Sequence, residues 1–158
     1  MYSREEKRDL VVKFWDDFKL YTKQHNIERS VYSKWMLDHT GIKEIDLRFE
    51  VDRRFASVSL DVTVKSEDKR LLIYEILVQF KLLIEDGFEE PLEWELLYEK
   101  ENGQMVSRIS IIMGDVDIHK PKHWPKIMDF LYENMTRLQD NFIEIKDVIE
   151  DRVKHLYR

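Results

Sequence analysis

The residue types that are most suggestive of chemistry lie together just ahead of the last predicted helix. The segment His119-Lys120-Pro121-Lys122-His123-Trp124-Pro125-Lys126 brings three lysines and two histidines to a helix N-terminus. The helix dipole favours anions there, and basic side chains add to the attraction. We predict an anion site, with Trp124 stacking on a base or another ring, built from Lys120, Lys122, His123, Trp124 and Lys126. The alternative is a solvated loop in which Trp124 is buried as an anchor for the helix.

A nuclease of the restriction type is a second kind of chemistry to consider. It needs carboxylates that hold a divalent metal and a lysine beside the attacking water. The strand Asp61-Val62-Thr63-Val64-Lys65 approaches this pattern, but Thr63 stands where a carboxylate is required. The short matches Asp17-Phe18-Lys19 and Glu144-Ile145-Lys146 fall on predicted helices. We therefore predict no catalytic residue and expect nuclease activity to be absent, although a divergent metal-dependent nuclease stays open as a third hypothesis.

Asp115, Asp117 and His119 alternate along a predicted loop, so they project to one side with atoms that a metal accepts. No fourth ligand is apparent, and a polar loop explains these residues equally well. We predict neither a metal nor another cofactor.

Composition narrows the class of protein. A length of 158 residues suits a single domain, and the net charge of -6 argues against non-specific binding to a polyanion. The chain has no cysteine, which excludes thiolate chemistry and suits a reducing cytoplasm. The N-terminus has no apolar run of the signal-peptide type, and no segment approaches the ~20 apolar residues of a membrane span. We expect a cytoplasmic protein without membrane contact.

Two hairpin-helix units account for the middle of the chain. Residues 45–52, 56–65, 92–99 and 108–113 alternate between apolar and polar side chains, which predicts strands with one buried and one polar face. The predicted elements are helices over about 4–37, with a second helix from Ser30 to Leu37, a hairpin over about 44–65, a helix over about 67–86, a hairpin over about 92–114 and a long helix over about 124–156. The fold class is α+β: a four-stranded antiparallel sheet from two hairpin-helix units, N-terminal helices and a long C-terminal helix. We expect Leu60, Val62, Phe80, Trp94, Ile109, Ile111 and Leu131 in the core.

The last helix carries a heptad seam. Met128, Leu131, Met135, Leu138, Phe142, Ile145 and Ile149 recur at alternating spacings of three and four. A helix of this length spans roughly 45–50 Å, whereas a domain of this size is only about 30–35 Å across. We therefore expect part of the seam to overhang the core and to form a homodimer.

An ordered set of short motifs runs through most of the chain. In chain order, the motifs of the second half are Leu92-Glu93-Trp94, Ser107-Arg108-Ile109, Asp115 and Asp117, Trp124-Pro125, and Leu138 and Phe142. Upstream of them lies the segment Thr40-Gly41-Ile42-Lys43 with Leu47–Arg53. This set resembles the bacterial family known as domain of unknown function 4268. Related domains follow a part that resembles a restriction-type nuclease, so the resemblance implies a link to nucleic-acid defence or repair, and no activity.

Three hypotheses follow. The first is a non-catalytic interaction or accessory module, linked to nucleic-acid processing or defence and dimerising through the long helix. The second is a domain that binds nucleic acid or a phosphate ligand through the Lys120–Lys126 segment. The divergent nuclease is the third. The expected partners are a second copy of the chain and a nucleic acid or nuclease.

Overall fold

The computed structural model describes residues 1–30 and 34–157. Helix α1, Arg4–Glu28, begins at a capping box: the hydroxyl of Ser3 accepts a hydrogen bond from Glu6 N (3.1 Å), and Glu6 Oε1 accepts one from Ser3 N (3.3 Å). The second helix predicted from Ser30 to Leu37 is absent from the part of that segment that the structure describes. Its residues 31–33 lie outside the described residues, and residues 34–37 are not helical.

Four strands form one sheet in the order β1-β2-β4-β3: β1 is Ile45–Val51, β2 Phe55–Val62, β3 Glu93–Glu99 and β4 Met105–Gly114. The second strands of the two hairpins are therefore neighbours at its centre. In the antiparallel β3–β4 pair, Trp94 lies opposite Ile109 and Glu95 opposite Arg108, with a bulge between Glu95 and Tyr98. The predicted α+β fold with a four-stranded antiparallel sheet is confirmed.

The helix predicted over 67–86 is divided in two. Helix α2, Glu67–Gln79, begins where the Ser66 hydroxyl accepts a hydrogen bond from Lys69 N, and α3 is Lys81–Ile84. Between them Phe80 leaves helical geometry (φ -106°, ψ 18°). The long helix α4, Trp124–His155, follows a 3₁₀ turn, Pro121–His123. No helix in residues 1–30 and 34–157 has the length and apolar character needed to cross a membrane.

The chain divides into two compact units, and their cores are of different kinds. One unit comprises residues 1–35, 49–57 and 112–133. Its core is aromatic, since Phe14, Phe18, Trp124 and Tyr132 are all at most 6% exposed. The other unit comprises residues 36–48, 58–111 and 134–158 and has a mainly aliphatic core.

Four of the seven residues predicted for the core are buried: Leu60, Val62, Ile109 and Leu131. Phe80, Trp94 and Ile111 are only partly buried. The indole N–H of Trp94 donates a hydrogen bond to Glu85 Oε2 (2.8 Å). A tryptophan held in this way keeps its polar edge at the boundary of the core.

The seam of α4 is buried within the chain along its whole length. Every seam residue from Met128 to Ile149, and Val153 beyond them, is at most 7% exposed. Two neighbouring segments cover its C-terminal half: Asn141 Nδ2 donates to the carbonyl of Ile84 at the end of α3 (2.8 Å), and Lys69 Nζ of α2 donates to the carbonyl of Leu156 (3.0 Å). The expectation that part of the seam overhangs the core is wrong, because these segments pack beside the helix.

Candidate functional site

The three lysines of the predicted anion site are all exposed, at the 3₁₀ turn and the first turn of α4. His123 lies between them and is partly buried. Its Nδ1 accepts a hydrogen bond from the backbone N–H of Asp117 (3.0 Å), which holds the imidazole against the preceding loop. The structure therefore brings Lys120, Lys122, His123 and Lys126 to one end of the helix.

Trp124 has a different role from the one predicted first. It is 6% exposed, its indole N–H donates to the carbonyl of Ile118 (2.7 Å), and its ring centre lies 5.5 Å from that of Phe14. A ring enclosed in this way has no face left for a ligand. Trp124 is the anchor of the helix, as in the alternative interpretation, and the anion site is without a stacking platform.

The start of α4 also offers fewer backbone donors than the sequence suggests. The N–H of His123 donates to the carbonyl of Lys120 (2.8 Å). The N–H of Trp124 donates to the carbonyl of Pro121, and Pro125 has none. The 3₁₀ turn uses donors that an anion would otherwise find at a helix N-terminus. Attraction for an anion therefore depends on the lysine side chains.

The electrostatic effect of these lysines is visible at His123. Burial lowers the pKa of His123 from its ordinary value, and the ammonium groups of Lys126, Lys120 and Lys122 lower it further. The carboxylate of Asp117 acts in the opposite direction and is outweighed. The local field is thus positive in a chain whose net charge is -6.

The loop carboxylates are engaged in a turn. Asp117 Oδ1 accepts a hydrogen bond from the backbone N–H of His119 (2.8 Å) and lies 3.0 Å from its Nδ1. Asp115 is exposed at a positive φ of 59°. Within the described part of the chain, no three histidine, aspartate or glutamate side chains are grouped so that they could hold a metal ion. These residues shape the loop that leads into the anion segment.

Asp61, the first carboxylate of the nuclease-like pattern, forms a buried ion pair. It is 0% exposed, and its two oxygens accept hydrogen bonds from Nε and Nη2 of Arg108 at 2.8 and 2.9 Å. The guanidinium of Arg108 lies 3.9 Å from the ring centre of Tyr98. Since both oxygens are held by one fixed guanidinium, Asp61 is part of the framework of the sheet. It is poorly placed to hold a metal.

The polar face of the sheet is not exposed as the alternation suggested. Every residue of β2 from Ala56 to Val62 is at most 3% exposed, including Ser57, Ser59 and Asp61. The cross-strand pair of Asp61 and Arg108 therefore lies in the interior, where the alternation had predicted an exposed polar face.

The feature that the sequence analysis missed is an apolar surface on α2 and α3. Ile73, Ile76, Leu77 and Ile84 are buried. Leu71 (39%), Leu72 (43%), Val78 (43%), Leu82 (88%) and Leu83 (53%) are exposed. We call these five residues the α2–α3 face. The signal was present in the sequence, because residues 71–84 contain only Glu75, Gln79 and Lys81 as charged or amide residues.

A groove of about 400 Å³ lies beside the C-terminal end of α4, between residues 41–44 and the segment from Glu150 to Tyr157. Its charged groups are largely occupied with one another. Lys154 Nζ lies 3.3 Å from Glu150 Oε1, and Lys69 Nζ lies 4.0 Å from the ring centre of Tyr157. The balance of charge in the groove indicates no particular class of ligand.

Comparison with known proteins gives one match. No curated protein and no solved structure is significantly similar to the chain. The model of the family described as domain of unknown function (DUF4268) matches residues 10–146 of the 158. This span includes most of α1, the whole sheet, α2, α3 and more than half of α4. The chain therefore belongs to the DUF4268 family, as its motifs predicted.

Proposed function

We propose that the protein is a non-catalytic interaction module that docks onto a protein partner through the α2–α3 face. The observation that carries this proposal is that five large apolar residues of α2 and α3 are exposed to water, in addition to the apolar residues that these helices bury in the core. A contiguous exposed apolar patch marks an interaction site in a soluble protein.

The contribution of these residues to the fold itself is small. Leu82 is 88% exposed and Leu83 is 53% exposed, so both leave most of their surface in water. An apolar side chain stabilises a protein in proportion to the area that it removes from water. Burial of the α2–α3 face against a partner would therefore contribute more stabilising free energy than the face contributes to the fold.

The setting that we propose is a cytoplasmic accessory role in nucleic-acid processing or defence. Two considerations support it: the lack of cysteine suits a reducing compartment, and the motifs resemble domains that accompany restriction-type nucleases. Asp61, the first carboxylate of the nuclease-like pattern, is held by Arg108 in a buried ion pair. An accessory role requires no reaction at this domain.

Cysteine labelling tests the docking surface directly, because the natural chain has no cysteine to interfere. In the cells that make the protein, Leu82→Cys should react with a membrane-permeant thiol reagent at least about tenfold more slowly than in the dilute purified protein. The control is Leu20→Cys, since Leu20 is exposed on α1 (67%) and lies outside the proposed face. Equal reactivity of Leu82→Cys in both settings would overturn the proposal.

A second candidate function, binding of phosphate or nucleic acid, is favoured by the positive field at His123. An anion held by the three lysines would offset their charge and raise the lowered pKa of His123. The expected result is an upward shift of that pKa when inorganic phosphate is added. The shift is measured by NMR titration of the histidine signals. His39, which is exposed and distant in sequence, is the control and should not move.

The triple variant Lys120→Ala, Lys122→Ala and Lys126→Ala distinguishes the effect of the lysine charges on the pKa of His123 from the effect of bound phosphate. Without phosphate, its His123 should have a higher pKa than in the natural chain, because three repulsive charges are gone. With phosphate, no further change is expected. If the natural chain shows no shift with phosphate, the segment is a solvated loop, and this second candidate function is excluded.

A further inference from the structure

The negative charge of the chain is concentrated around the edge strand β3. Residues 85–101 contain eight acidic side chains and one lysine, a formal charge of -7, whereas the whole chain carries -6. The rest of the chain is therefore close to neutral. Glu89, Glu90, Glu93, Glu99 and Glu101 are exposed, and none of them forms an ion pair with a residue in the part of the chain that the structure describes.

The field of these carboxylates reaches the neighbouring helix α2. Burial raises the pKa of the Tyr74 hydroxyl from its ordinary value, and the carboxylate of Glu95 raises it further. A nearby anion has this effect because it opposes the formation of the phenolate. The negative charge along β3 is therefore not neutralised by its surroundings.

The edge also offers backbone hydrogen bonds. β3 is the last strand on its side of the sheet, so one row of its N–H and C=O groups points away from β4. The bulge between Glu95 and Tyr98 lies within this row. Bulges at sheet edges re-aim side chains, and here Leu97, inside the bulge, is 60% exposed.

A small pocket lies beside the bulge, between β3 and the start of α2. It has a volume of about 60 Å³ and is lined by Glu67, Arg70, Leu71, Leu96 and Leu97. The guanidinium of Arg70 is already engaged, because it donates to the carbonyl oxygens of Val64 (3.2 Å) and Lys65 (3.3 Å). The three leucines therefore make this pocket suitable for an aliphatic side chain.

We infer that β3 binds a basic, extended segment of a partner protein, which adds to the edge as a further strand and places one apolar side chain in the pocket. In this mode of recognition, backbone hydrogen bonds give affinity and side-chain pockets give specificity. Lysine and arginine side chains of the segment would lie along Glu93, Glu95 and Glu99. This surface shares only Leu71 with the α2–α3 face, so the inference does not depend on the proposed docking site.

The charge of the edge selects between partners. Acidic side chains and a bulge prevent two identical edges from pairing, so a second copy of β3 is a poor occupant. A nucleic acid is repelled for the same reason, since its phosphates are negative. A basic strand is attracted by the carboxylates that exclude the other two, which is how a surface achieves specificity by repulsion as well as attraction.

A synthetic peptide tests the inference. The probe is a heptapeptide with one leucine between two runs of three lysines, and its control has serine in place of leucine. The probe should shift the amide NMR signals of β3, and its Kd should rise with salt because opposite charges are in contact. The serine peptide should bind about fivefold more weakly, because the pocket gains no apolar side chain.

The arrangement of the segment as a strand has its own control. A leucine peptide with N-methylated backbone amides keeps every charge but has lost the N–H donors that strand pairing requires. It should bind about tenfold more weakly than the parent peptide, since main-chain hydrogen bonds supply much of the affinity in strand addition. Equal affinity of the two peptides would overturn the strand arrangement.

Charge variants distinguish a local site from attraction to the protein as a whole. Glu93→Gln, Glu95→Gln and Glu99→Gln in one chain should weaken binding of the leucine peptide about tenfold or more. The matched control is Asp140→Asn, Glu144→Gln and Asp147→Asn, which removes three exposed carboxylates of α4 and should bind as the natural chain does. Circular dichroism should show that both variants are folded. Equal weakening in the two variants, or a peptide that moves no β3 signal, would overturn the inference.

Discussion

Replacing Arg108 with methionine is expected to lower the free energy of unfolding by about 3–5 kcal/mol, because it leaves the buried carboxylate of Asp61 without its partner. Asp61 is 0% exposed and receives two hydrogen bonds from Arg108, at 2.8 and 2.9 Å. Methionine preserves much of the apolar stem of arginine, so the loss reports mainly on the charge. Chemical denaturation at neutral pH measures it.

Arg48 provides the matched control. It lies on the same side of the sheet, but its Nε is 3.9 Å from Asp61 Oδ2 and its side chain is 41% exposed. Arg48→Met should therefore cost no more than about 1 kcal/mol, because its Nε lies too far from Asp61 for a hydrogen bond and its side chain remains partly in water. Equal losses in the two variants would contradict the assignment of Arg108 as the principal partner of Asp61.

Replacing Ile149 with alanine is expected to cost about 2–5 kcal/mol, the usual range for a large aliphatic side chain removed from a packed core. Ile149 is 0% exposed within one chain, although the length of the helix suggested a contact between chains. The loss should therefore be the same at all protein concentrations. Its neighbour Val148 is 47% exposed, and Val148→Ala should change stability by about 0.5 kcal/mol or less.

The concentration dependence is the decisive part of this experiment. If the seam were completed by a second copy, Ile149→Ala would weaken association, and the loss of stability would grow as the protein was diluted. That result would contradict the internal packing of α4.

In the Lys120–Lys126 segment, the sequence identified a local cluster of basic residues. The anion site built on this cluster stays a prediction. The role of Trp124 was not decidable, because an aromatic residue at the start of a helix suits a ligand and a core equally. The hydrogen bond to Ile118 and the contact with Phe14 decided between them.

Local patterns in the sequence determined the elements of the fold. Alternation gave the strands, the Ser3–Glu6 capping box gave the start of α1, and the heptad spacing gave the buried stripe of α4. These patterns record which side of an element is apolar, because side chains repeat with the period of the backbone. They hold wherever the element lies in the molecule, so a single sequence is sufficient to find them.

Only the tertiary structure decided what covers each surface. The seam of α4 is covered by its own chain, β2 is buried on both faces, and the outward side of α2 and α3 is left exposed. Periodicity states that a surface is apolar, but burial depends on which segments, distant in sequence, are brought against it. The same apolar run, residues 71–84, contains both core residues such as Ile73 and exposed ones such as Leu82. That difference arises from packing alone, because the two kinds of residue are chemically alike.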